Sequence, residues 1–197
     1  MLYEIHRYPA DMIDVVRVAG GARVVIRPVL PQDAELTAAF FRGLSGPSRY
    51  DRFLSPLREP PPELLAHFTR VDYADHLALV AEVFTGERET VIAEARYVRH
   101  ADRESAEFAI SVAESWQGKG IASRMLSKLT CRAAAAGVTR MTGETLATNR
   151  RMLALARKAG FSLEPSPDVA GLILLEKLLT PAASGRGCSD LQVELAA

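Results

Sequence analysis

The spacing of apolar positions changes along the chain, and each change predicts an element. Leu77 to Phe84, Val91 to Arg99 and Glu104 to Val112 are apolar-rich runs of strand length, parted by polar turns at Thr85 to Thr90 and His100 to Arg103. Short turns between such runs predict an antiparallel meander. In the third run Phe108, Ile110 and Val112 fall on one face of an extended chain. The spacing then lengthens to Ile121, Met125, Leu129 and Ala133, with Gly137 after them, which predicts a helix and its C-terminal stop. A strand from Val138 to Leu146, a helix led by Asn149 and an apolar strand from Leu172 to Leu178 follow.

Upstream, Asp14 to Val18 and Arg23 to Val29 read as a hairpin turning at Gly20-Gly21. Pro31 to Glu35 opens a helix through Leu36, Ala39, Phe40 and Leu44, ended by Gly46-Pro47. Ser48 to Phe53 reads as a short helix or turn, Pro56 to Pro62 as a connector, and Pro62 to Thr69 as another helix. The order predicts an α+β fold: a mixed, mostly antiparallel sheet with helices on both faces. With 197 residues, 48% of them hydrophobic, one core and one domain are expected. That domain is expected over residues 1–180, and the small and polar residues 181–197 as a flexible tail.

The glycines of Glu114-Ser115-Trp116-Gln117-Gly118-Lys119-Gly120-Ile121-Ala122 sit at a strand-to-helix turn. Unpaired N–H groups and the dipole at a helix start attract phosphate, and Gly118 and Gly120 would let a ligand approach them. Charge agrees: residues 119–158 hold nine basic side chains against one acid, Glu144, whereas the whole chain balances 24 against 24. Arg124, Lys128 and Arg132 recur every fourth residue, on a helix side expected to face away from the apolar stripe. Taken alone, such a run is more often a solvated face.

The overall balance argues against a dedicated nucleic-acid binder. Two cysteines, Cys131 and Cys188, predict no disulfide framework and suit a reducing cytosol. The four histidines lack metal-ligand spacing, and neither a leader nor a membrane span is legible, so a cytoplasmic protein without metal is expected.

The phosphate loop is neither of two nucleotide motifs: no Ser or Thr follows Gly118-Lys119, and the third glycine of GxGxxG is missing. Gln117-Gly118-Lys119-Gly120-Ile121-Ala122 resembles instead the acyl-CoA pyrophosphate loop of the GNAT acetyltransferases. Asn149 to Phe161, an Asn-led helix ending in Gly160-Phe161, resembles the family's next motif. Ile26-Arg27-Pro28 with Asp33, Ser48 to Phe53, and Val71-Asp72-Tyr73 resemble the GNAT modules of bacterial protein lysine acetyltransferases. The likeness runs from about Tyr8 to Leu179.

The resemblance implies transfer of an acetyl group from acetyl-CoA to a primary amine, a protein lysine, by direct attack in a ternary complex. It implies cofactor contacts from Ile110, Ser111 and Val112, from Gln117, Gly118, Lys119, Gly120, Ile121, Ala122 and Ser123, and from Asn149. Glu107, on the face opposite Phe108 and Ile110, matches the family's general base, with Glu94, Glu82 and Glu144 as substitutes. Ala156 stands where many relatives carry the tyrosine that protonates sulfur, which leaves Tyr73 or Tyr97 as candidate acids. That departure keeps two alternatives open, a small-amine acetyltransferase and a non-catalytic CoA-binding regulator. Arg49, Arg52, Asp72, Asp75 and His76 face the expected acceptor side, where ion pairs and helix caps are the commoner roles for such residues.

Overall fold

The computed structural model describes residues 8–180; the expected tail lies outside them. One sheet of eight strands runs in the order β1-β2-β3-β4-β5-β6-β8-β7. Its first half is β1 (Asp14–Arg17), β2 (Arg23–Pro28), β3 (His76–Thr85), β4 (Arg88–Arg99) and β5 (Ser105–Val112), each antiparallel to the next. Gly20 and Gly21 turn the first hairpin at φ +92° and +80°, angles a side chain would resist.

Between β2 and β3 the chain forms α1 (Ala34–Gly43), α2 (Gly46–Phe53) and α3 (Pro62–Thr69); later come α4 (Ile121–Ala135), β6 (Arg140–Leu146), α5 (Arg150–Lys158), β7 (Ser162–Pro165) and β8 (Leu172–Leu178). Helices cover both faces, so β3 is apolar on both: Leu77, Ala78, Leu79, Val80 and Ala81 are all fully buried. One core packs Leu77, Leu79, Ala95 and Phe108 with Met125 and Leu129 of α4 and Ala156 of α5. The other packs Ala78 and Val80 with Phe40, Phe41 and Phe68. Arg27 fastens the α1 side, its guanidinium 2.6 Å from Asp33, 2.8 Å from Glu82 and 2.9 Å from Glu89.

Among the described residues only β5 and β6 run parallel, and they pair at three positions, Ser105↔Arg140, Ala106↔Met141 and Glu107↔Thr142. Beyond Glu107 the strands part. Gly143 permits their close crossing, since a Cβ there would stand 2.8 Å from Cε1 of Phe108 and 3.1 Å from its carbonyl oxygen. Strand β7 has no counterpart among the sequence expectations; four residues ending in proline give too short a pattern to read.

Two expectations are corrected. Lys128 is buried and Arg124 is partnered, both on Asp14 of β1 at 3.4 and 2.6 Å, so these cations tether α4 to the sheet rather than form an outward stripe. Cys131 is disulfide-bonded rather than a free thiol, so the cysteines no longer argue for a reducing compartment; Cys188 lies outside the described residues.

Candidate active site

A cleft of about 1160 Å³ opens where β5 and β6 part, and every residue expected at the site, from Glu107 to Asn149, lines it. One end is the start of α4. Its N-cap, Gly120, has φ +82° and no side-chain cap, and the first turn contains no acid. The leading amides of α4 therefore have no side-chain cap, at the positive end of a helix of 15 residues. Lys119 adds charge there, its Nζ 4.8 Å from the Trp116 ring centre. Gln117 fixes the loop to the strand, its Nε2 donating to the Val112 carbonyl at 2.9 Å. Arg151 of α5 donates to Oε1 of the same Gln117 across the cleft. Asn149 accepts at Oδ1 from the Met152 amide at 3.0 Å, so it caps α5.

The middle of the cleft is backbone. Ala113 N donates to Ile92 O, and His100 N to Ser105 O. Backbone groups alternate in direction along a strand, so the odd-numbered residues of β5 turn theirs toward β4, and Ile110 and Val112 turn theirs toward the gap. The Gln117 contact with the Val112 carbonyl fits that parity. Opposite them β6 has already diverged.

At the far end Glu107 stands exposed in the cleft, beside Val98 of β4 and Thr142 of β6. The strand pairings put Glu94, Arg96 and Val98 on its face of the sheet. Arg96 is nearly fully buried, 2.5 Å from Glu94 and 3.3 Å from Nε2 of His76. Its Cζ lies 3.7 Å from the Phe68 ring centre. Burial, with Arg96 and His67 beside it, pushes His76 down to about 3. Arg52 reaches the cleft from α2. Glu114, held down to about 2 against its desolvation by hydrogen bonds from Ser45 and Ser48, ties the start of α2 to the turn before the phosphate loop.

Several sequence candidates lie elsewhere. Tyr73 and Tyr97 donate to the carbonyls of Val29 and Ala74, and neither lines the cleft; burial pushes both hydroxyls up to about 12. Glu82 belongs to the Arg27 cluster and Glu94 is held by Arg96, whereas Glu144 lines the cleft and accepts from Ser166. Asp72 accepts three backbone amides, Asp75 pairs with Arg99 and Arg103, and Arg49 donates to the Leu44 carbonyl; these are the caps and ion pairs anticipated for them. The Arg52–Glu94–Arg96–His76 network was missed because its members come from three elements distant in sequence. Among the described residues no three metal-ligating side chains cluster, and no helix is long and apolar enough to cross a membrane.

The model of the acetyltransferase (GNAT) domain family matches residues 23–162. Acetyltransferase Pat of Mycolicibacterium smegmatis is 36% identical over 146 residues, which are 74% of this chain and 43% of that protein, so the chain spans under half of that relative. An acetyltransferase of Pseudomonas aeruginosa is 30% identical over 148 residues, 75% of this chain and 80% of that one. The crystal structure of the GNAT domain of S. lividans PAT superposes with a TM-score of 0.78 at 29% identity, covering 87% of this chain and 99% of that one. With the glycine loop at the start of α4, the parted strands and the family match agreeing over one stretch, the chain belongs to the GNAT acetyltransferase family.

Proposed function

We propose that the chain transfers an acetyl group from acetyl-CoA to a primary amine, a protein lysine, by direct attack within a ternary complex. The observation behind this reading is the shared cleft: an uncapped helix start and an exposed carboxylate, Glu107, at the two ends of a gap lined by strand amides. The amides of residues 120–123 receive the diphosphate of the co-substrate, with Lys119 and Arg151 adding positive charge. Glu107 takes the proton from the acceptor ammonium, directly or through a water, because lysine with a pKa near 10.4 is otherwise protonated. The nitrogen attacks the thioester carbon, and the amides of Ile110 and Val112 bind the oxygen as it gains charge, a contribution of about 3 kcal/mol for such donors. The C–S bond then breaks and the CoA thiolate leaves. With thiol pKa near 8.5 it departs without a tyrosine acid, which suits Ala156.

Ala156 favours a second reading, a CoA-binding regulatory domain without turnover, because among the described residues no tyrosine lines the cleft. Thiol release from acetyl-CoA against a panel of proteins and small amines separates the two. Turnover on protein lysines supports the proposal, turnover on small amines alone moves the acceptor class, and tight CoA binding without turnover favours the regulator. Glu107→Gln is expected to lower turnover at least about tenfold with CoA affinity nearly intact. Undiminished turnover would remove Glu107 from the role of base.

A further inference from the structure

The acceptor half of the cleft contains a cation that its neighbours leave incompletely paired. Arg52 lies in the last turn of α2 with its Cζ 5.2, 5.4 and 5.9 Å from the ring centres of Phe53, Phe68 and Phe41. Its side chain is nine-tenths buried, at 10% exposure, and it still lines the cleft. Glu94 is its ion-pair partner at 3.6 Å, but the other oxygen of Glu94 already sits 2.5 Å from Arg96. Two guanidinium groups therefore share one carboxylate. Among the described residues, Nε of Arg52 and Oε2 of Glu94 are both buried without a hydrogen-bond partner, so the 3.6 Å pair leaves each charge incompletely satisfied.

An incoming carboxylate would add the second anion that two guanidinium groups sharing Glu94 lack, since it accepts from guanidinium in charge-assisted, often paired hydrogen bonds. An incoming cation would meet repulsion. The aromatic rings hold the guanidinium in place before any ligand arrives, so little freedom is lost on binding. Asp51 also lines the cleft, but it precedes Arg52 on the helix and so projects ~100° away from it. We infer that Arg52 receives a carboxylate carried by the acceptor, so that the preferred substrate is an amine with an acidic group near its nitrogen. Glu94 stands across from Ser111 and Glu107 across from Val98, four residues apart on β5, or ~13 Å at ~3.3 Å per residue. Long side chains close part of that distance. An acidic residue beside a lysine in a peptide, and the carboxylate of a free amino acid, offer the same chemistry.

This inference rests on the acyl-transfer reading, and the test separates the failure of each. Steady-state acetylation is measured with two matched pairs: a lysine peptide flanked by glutamate against one flanked by glutamine, and Nα-acetyl-lysine against its amide. The acidic member of at least one pair is expected to have kcat/KM higher by at least about tenfold, mostly through KM, and the pair that responds identifies the source. Arg52→Gln should bring that ratio to about one, and Arg52→Lys should keep part of it. Equal kcat/KM within both wild-type pairs overturns the inference even if the variants fail to fold, as does a preference that survives in folded Arg52→Gln. No thiol release with any acceptor would instead overturn the acyl-transfer reading, and this inference with it.

Discussion

His76 shows how burial converts an ordinary side chain into a pH-dependent liability. It lies at 8% exposure against Arg96 and the His67 ring, with Asp72 accepting its backbone amide. An unfolded histidine takes a proton near pH 6.5, whereas the native ring does so only at about 3. Between those values the unfolded state binds the proton and the native state does not, so stability falls as pH drops from about 6.5 toward 3. Glu82 acts oppositely: burial raises its carboxyl to about 7, so the native state binds that proton first and gains stability as pH falls toward 4.5. Comparison of slopes separates the two. His76→Gln should lose less stability than the wild type between pH 7 and 5, by on the order of 1 kcal/mol, in urea titrations at each pH. Parallel curves would show that another group titrates.

Among the elements, β5 decides the most. The meander was legible because turns and apolar runs are local signals, and the start of α4 because glycines and helical spacing adjoin. Where two strands cease to pair has no local pattern, so the limit of the β5/β6 ladder emerges only from the folded sheet. Lys128 misled for a related reason: a helical wheel shows a polar position but not the β1 carboxylate waiting beside it. The loop residues that line the cleft are contiguous and so readable in order, while Arg52 acquires its character only from Phe41, Phe68 and Glu94, all brought in by folding. Two glycines test the role of the crossing. Gly143→Ala sets a methyl against Phe108, including its carbonyl, and should cost about 1–3 kcal/mol by overpacking. Gly118→Ala meets no atom within 4 Å and bears only the strain of φ +74°, about 1–2 kcal/mol. Denaturant midpoints check both, and acetyl-CoA titration should show weaker binding in each. A Gly143→Ala variant as stable as the wild type would mean the crossing is slack.

At the scale of the molecule, Arg27 binds β2, β3, β4 and the entry to α1 through three carboxylates, so the first five strands form a well-braced plate. The remaining three, β6, β8 and β7, form a second plate, and the ladder between the plates is the three residue pairs of β5 and β6. Such a seam is a natural boundary for sub-global opening. A co-substrate seated in the gap would touch both plates and act as a rivet. Its occupancy should slow amide hydrogen exchange in β6 and β8, well away from the diphosphate, and merge two opening units into one. The gap that makes room for chemistry thus also makes the rigidity of the empty protein depend on its own substrate.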